Sequence, residues 1–176
     1  MLIFDTETTG LVENMTTRSD QQPEVIEFCG ININPDNGDI LNELDILIKP
    51  QFLITDEISK MNGITNEMVI DAPSFKDVAS AIRDIIESSD LVVAHNAAFD
   101  RDMVDLEFKK LGVTKVAWPH IICSLEQTIH LTGFRLSLSH LYEYLFKEKF
   151  TGAHRARVDV EALVRCIVEL RKRGDI

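Results

Sequence analysis

Cysteine, proline and glycine are scarce in this chain, at 3, 5 and 8 of 176 residues. Three cysteines, odd in number and without a C-x-x-C pair, argue against a disulfide-built scaffold and against a thiolate metal site. Cys29, Cys123 and Cys166 stand in apolar surroundings and read as buried small hydrophobes in a reducing, cytoplasmic compartment. With no repeat, low-complexity tract or Pro/Gly-rich linker, nothing divides the chain, so residues 1–176 read as one domain. No apolar run approaches the roughly 18–20 residues that cross a bilayer, so no membrane partner is expected. The start, Met1-Leu2-Ile3-Phe4-Asp5, lacks the charged region and cleavage site of a signal peptide. Hydrophobic residues at 45% and charged residues at 27% argue against disorder and for a core of ordinary size.

Positive charge is the other shortage. Lys and Arg number 18 against 29 Asp and Glu, a net charge of −11, which weighs against a long basic track for a polyanion. The deficit is uneven, with 9 basic and 23 acidic side chains over residues 1–132 but 9 and 6 over residues 133–176. A basic surface beside an acidic site is therefore allowed.

The apolar pattern predicts strands at Leu2–Phe4, Val25–Ile33 and Leu41–Ile48, the last two joined by the turn-rich Asn34-Pro35-Asp36-Asn37-Gly38. A polar loop is expected over residues 13–23. Thr55 caps a short helix that ends before Gly63, and Ser74-Phe75-Lys76-Asp77 opens a helix reaching about Glu87. Leu91–Ala94 reads as a strand buried on both faces, followed by a helix from Ala97 to Leu111 and a short strand at His120–Cys123. Further helices are expected near 124–131, 137–147 and 156–172. The fold class is α/β, a mixed sheet of about five strands, three antiparallel and then parallel, flanked by helices.

Three segments carry chemistry. Asp5 and Glu7 are two apart on a strand and so face the same way, where two like charges need a cation or a shared proton. A hard divalent ion is the natural partner for such oxygen donors. Asp100 heads a helix stripe shared with Met103, Val104, Glu107 and Leu111. Asp159 lies on an otherwise apolar stripe with Leu163, Cys166 and Leu170, where a carboxylate is costly unless paired or metal-bound. His154, five residues earlier, would point away from Asp159 on one continuous helix, so it is placed on the loop before it, with Gly152 allowing movement. Taken singly, each segment has a plainer reading: a solvated strand end, a first-turn acid, a solvated histidine.

Together, DTETTG at 5–10, HNAAFD at 95–100 and HRARVD at 154–159 resemble the three motifs of the DEDD-type, DnaQ-like 3′→5′ exonuclease superfamily, with its ribonuclease H-like fold. Pro23-Glu24-Val25-Ile26-Glu27-Phe28 is similar to that family's second strand. Asn62-Gly63-Ile64-Thr65 resembles its H-G-I-T element and Cys123-Ser124-Leu125 its D-T-L element. The histidine five residues before the last aspartate marks the histidine branch; the tyrosine branch would need Tyr where Arg155 stands. The resemblance implies that Asp5, Glu7, Asp100 and Asp159 ligate two Mg²⁺ or Mn²⁺ ions and that His154 is the general base. It also implies that the segment Thr6 to Thr8 holds the 3′ end and that Ile64 packs on the terminal base. Asn62 in place of the usual His, a long 13–23 loop and Arg157 at an often apolar position depart from the pattern where substrate preference is set, and none removes a catalytic group.

The expected reaction is metal-dependent hydrolysis of the terminal phosphodiester at a nucleic acid 3′ end, single-stranded DNA first, releasing nucleoside 5′-monophosphates. Arg155 and Arg157 are candidates for phosphate contacts, with solvated helix-face arginines as the plainer reading. Asn96 either contacts substrate or, as preferred, caps the following helix. His95 shapes the second motif, while His120, His130 and His140 show no metal spacing. Alternatives are an exoribonuclease on short RNA, a proofreading subunit with a polymerase partner, and a degenerate nucleic acid binder, against which the intact acids and His154 argue. The end at Ile176, with no docking tail, favours a free-standing enzyme.

Overall fold

The computed structural model describes residues 1–11, 22–113, 116–150 and 154–176. Alternation along Leu2-Ile3-Phe4 sends side chains to both faces of the sheet, and all three are 0% exposed, which makes β1 (Leu2–Thr8) the centre. It pairs antiparallel with β2 (Val25–Ile33), which pairs antiparallel with β3 (Ile40–Leu47). On its other side β1 pairs parallel with β4 (Leu91–Ala94), which pairs parallel with β5 (His120–Cys123), giving the order β3-β2-β1-β4-β5. The mixed five-stranded sheet is the architecture expected, with the third strand one residue earlier and the first running on to Thr8.

The helices are α1 (Asp56–Asn62), α2 (Asn66–Val69), α3 (Phe75–Glu87), α4 (Ala97–Lys110), α5 (Ser124–Gln127), α6 (Ile129–Thr132), α7 (Leu138–Phe146) and α8 (Ala156–Arg173). Helices α3 and α4 bury Ile82, Ile86, Val104 and Phe108 against the sheet face formed by Leu2, Phe4 and Phe28. Helices α7 and α8 bury Leu141, Leu163 and Ile167 against the opposite face, formed by Ile3, Cys29 and Ile31. Gly30, opposite Phe4, is where β2 needs no side chain: a Cβ there would lie 3.1 Å from the Phe28 ring and 3.2 Å from Leu2.

Local signals account for most boundaries. The Thr55 hydroxyl accepts from the Ile58 N–H, and Gly63 ends α1 at φ 75°. Asp77 folds back to accept the Ser74 N–H at 2.9 Å. Two features differ from expectation. The helix foreseen near 124–131 breaks into α5 and α6 at Thr128, where the backbone turns to φ −95° and ψ 3° and the hydroxyl joins the N–H on the Ser124 carbonyl, at 2.8 and 3.1 Å. Helix α2 was not foreseen, being a single turn too short for periodicity, and Asn66 secures it by bonding both the N–H and the carbonyl of Ile54 at 2.8 Å. Of the loop expected over 13–23, residues 13–21 lie outside the described residues, as does Gly152. Among the described residues no helix is long and apolar enough to cross a membrane.

Candidate active site

Asp5 and Glu7 leave β1 on the face covered by α8, and α8 presents Asp159 in its first turn. One carboxylate oxygen from each of these three side chains lies within 4.8 Å of the others. Asp100 arrives from the other face of the sheet, at the start of α4, and is not one of that set. It is 2% exposed, and its Oδ1 accepts from the Thr6 N–H at 3.0 Å and the Thr6 hydroxyl at 2.8 Å. Because Thr6 points opposite to Asp5 and Glu7, it ties the α4 acid to the strand that carries the other two. At the end of β1 the pairing with β2 slips by one residue between Glu7 and Thr8, a bulge of the kind that re-aims strand ends beside sites.

Crowding and loss of water make these acids reluctant to ionise together. Burial, then the charges of Asp100, Asp159, Glu7 and Glu27, hold the Asp5 carboxyl well above its usual range. Burial lifts Glu7 to about 8, reinforced by Asp159 and Glu27 and opposed by the neighbouring Asn62 side chain. Burial also raises Asp100 to about 7, against the two Thr6 hydrogen bonds that favour its charged form. Asp159 is raised by burial, with the His154 N–H working the other way. Among the described residues no Lys or Arg is ion-paired with any of the four. An all-oxygen, partly desolvated and uncompensated set of this kind fits hard divalent cations.

His154 precedes α8, as its spacing from Asp159 requires, in the left-handed region at φ 70°. Such a backbone is held only where surroundings impose it. Here its main-chain N–H donates to Asp159 Oδ2 at 2.9 Å, so the backbone that carries the imidazole is anchored through the acid it accompanies. The ring is exposed and lines a cavity of about 430 Å³ together with Asp5, Asp159, Asn96, Phe99 and Leu11.

Thr6 is 5% and Thr8 7% exposed, and their hydroxyls are engaged, that of Thr8 with the Gly10 carbonyl at 2.7 Å. Ile64 is 0% exposed, sealed among Ile26, Ile54 and Val69, so it offers no surface for a base. Asn96 occupies the N-cap position of α4 at φ 70°, but its side chain makes no capping bond and is exposed at the cavity, contrary to the preferred capping role. Arg155 is bonded to Glu27, with Nη2 to Oε1 at 2.7 Å, and Arg157 pairs with Glu43, Asp45 and Glu161. Those carboxylates from β2, β3 and α8 already meet the two guanidinium groups proposed for phosphate.

His95 is structural: Nε2 donates to the Leu136 carbonyl at 3.0 Å, which leaves Nδ1 to face the Ser124 hydroxyl at 2.9 Å, and burial lowers its pKa. Asn62 accepts the Ile64 N–H at 3.0 Å; its buried Nδ2 meets no partner at full hydrogen-bonding geometry, although the side chain lies close enough to Glu7 to draw its pKa down. Glu27 is the residue that sequence reasoning passed over as part of a strand. A charged residue inside the otherwise apolar run Val25-Ile26-Phe28-Cys29 was the available signal.

A mixed sheet with acids gathered at the end of its central strand, beside a histidine, is an arrangement suited to holding divalent cations. The profile of the RNase T exonuclease family matches residues 2–167. The chain therefore belongs to that family, within the DnaQ-like 3′→5′ exonuclease superfamily, and His154 agrees with its histidine branch. It is 28% identical over 171 residues to the PolC-type DNA polymerase III of Staphylococcus aureus, covering 96% of this chain but only 11% of that polymerase. Its structure resembles exonuclease X in complex with 5′-overhanging duplex DNA, at TM-score 0.69 and 26% identity over 98% of this chain and 92% of that one. It also shares the fold of the nuclease domain of 3′hExo, a DEDDh member bound to rAMP, at TM-score 0.77 and 18% identity, covering 98% and 92% of the two chains.

Proposed function

We propose that this chain hydrolyses the terminal phosphodiester bond at the 3′ end of nucleic acid, single-stranded DNA first, and releases nucleoside 5′-monophosphates. The observation that carries this reading is the gathering of Asp5, Glu7 and Asp159 within 4.8 Å, with Asp5, Asp159 and His154 lining one cavity and Asp100 buried behind them on Thr6. Asp5, Glu7, Asp100 and Asp159 would hold two Mg²⁺ or Mn²⁺ ions. Such ions supply acidification of the attacking water and neutralisation of charge on the phosphate.

The chain's own groups supply the rest. His154, exposed on a fixed backbone, takes the proton of the attacking water. Thr6 keeps Asp100 turned toward the strand end, and the His154 N–H keeps Asp159 turned toward Asp5. Asn96 and Phe99, on the cavity wall, are the groups placed to meet the terminal nucleotide, one by hydrogen bonding and one by apolar contact. Residues 1–176 act as one unit in this reading.

A second reading concerns context. Likeness to a short part of a PolC-type polymerase favours a proofreading role, with the same chemistry applied to a primer end delivered by a polymerase.

The deciding experiment follows 5′-labelled single-stranded DNA, recessed duplex DNA and short RNA with Mg²⁺, Mn²⁺ or EDTA. Stepwise shortening from the 3′ end, lost with EDTA and with Asp5→Ala, is expected, fastest on single-stranded DNA. Faster loss of RNA would reassign the substrate, and no shortening of any substrate by folded protein would overturn the reading.

A further inference from the structure

Glu27 is 2% exposed and lies directly across from Glu7 in the β1–β2 pairing. Like charges so placed repel, and a buried carboxylate without partners is strongly disfavoured. Among the described residues its hydrogen-bond partners come from the start of α8. Arg155 donates Nε to both oxygens at 3.2 Å and Nη2 to Oε1 at 2.7 Å, and the Ala156 N–H donates to Oε2 at 2.8 Å. Arg155 is the N-cap residue and makes no side-chain capping bond within its own helix, so the strand carboxylate supplies an acceptor for a first-turn N–H. His154 is the residue before this attachment and Asp159 the acid one turn beyond it, joined to each other by the 2.9 Å bond.

We propose that Glu27 and Arg155 form a positioning clamp that sets His154 and Asp159 against Asp5 and Glu7, and that Arg155 serves this clamp instead of binding phosphate. The attachment lies between the two groups it orients, so loosening it lets the base and one acid drift together while β1 stays in place. A guanidinium forked onto a carboxylate fixes direction as well as distance, which a lysine cannot reproduce. The inference rests on the exonuclease reading for its kinetic test, and metal affinity provides a readout independent of turnover.

The test compares the full chain with Glu27→Gln, Arg155→Ala, Arg155→Lys and the double variant Glu27→Gln/Arg155→Ala. Each is checked for cooperative melting, then assayed for kcat, KM and salt dependence on single-stranded DNA and for Mn²⁺ affinity of the protein alone. The clamp predicts that Glu27→Gln and Arg155→Ala each lower kcat by about 10- to 100-fold with KM within about threefold. Both should weaken Mn²⁺, the double should be no worse than the more damaging single, and Arg155→Lys should restore only part of the loss. Losses that multiply in the double, or kcat and Mn²⁺ affinity left at wild-type values, would overturn the clamp. So would an Arg155→Ala variant with raised KM, a flatter salt dependence and unchanged kcat, because that is the signature of a phosphate contact. A wild-type chain that cuts no nucleic acid would sink the exonuclease reading, and the Mn²⁺ affinities would still decide the clamp.

Discussion

Two buried acidic regions of this molecule are handled in opposite ways. On α4, Glu107 is 5% exposed and is met by the Lys110 ammonium at 2.9 Å and by the Val25 N–H at 3.2 Å. At the end of β1, Asp5, Glu7, Asp100 and Asp159 crowd together with no such ammonium or guanidinium among the described residues. Burial raises carboxylate pKa values in both regions, but at Glu107 the lysine offsets it, whereas at the β1 end each acid raises its neighbours further. A folded chain keeps an uncompensated cluster at a cost in stability, and functional sites are where such a cost is found. The pairing at Glu107 holds the fold together; the lack of pairing at β1 leaves room for cations.

This contrast predicts that removing an acid at β1 harms activity and not the fold. Asp5→Asn should lower kcat by about 1000-fold or more, since the lost charge stabilisation is worth several kcal/mol, while the chelator-treated protein melts no lower than wild type. A lower melting point would show that Asp5 is structural. His154→Ala should reduce kcat by about 100- to 10,000-fold, the range for loss of a general base, with melting unchanged because the ring is exposed. The reverse pattern is expected at the paired site: Lys110→Ala leaves Glu107 buried with the Val25 N–H but no cation, costing about 3 kcal/mol in chemical unfolding, with kcat near wild type.

The smallest expected effect is a pH trend. Unfolded Asp and Glu lose their protons near pH 4, whereas folded Asp100 and Glu7 keep theirs to about 7 and about 8. Between those limits the folded chain binds more protons than the unfolded one, so metal-free stability falls as pH rises. In EDTA the melting temperature should be higher at pH 5 than at pH 8, and Mn²⁺ should raise it more at pH 8. A flat profile in EDTA would mean that the acids are better solvated than their burial suggests.

The elements were largely legible because they rest on neighbours in sequence. Thr55 and Gly63 mark the ends of α1, and the apolar run Leu91–Ala94 is β4 without adjustment. Single-turn pieces such as α2 escaped because four residues contain no period to detect. The acids were legible for a related reason: Asp5 and Glu7 are two apart on a strand, and Asp159 interrupts the apolar stripe of Leu163, Cys166 and Leu170, each at most 1% exposed.

The companions of those acids were not legible. Arg155 reads as an exposed helix-start cation until β2 brings Glu27 to it across 128 residues. Ile64 is expected by resemblance to pack on a terminal base until the fold closes Ile26, Ile54 and Val69 around it. Thr6 looks like a substrate group until α4 carries Asp100 onto its hydroxyl. Most strands and the longer helices, with the acids and the histidine at their ends, follow from local pattern, because side-chain direction follows backbone period and hydrophobic pattern within a few residues. Which charges are matched and which stay unmatched emerges from the packing of distant segments, because a charge is neutralised by whatever lies within about 4 Å of it, however distant along the chain.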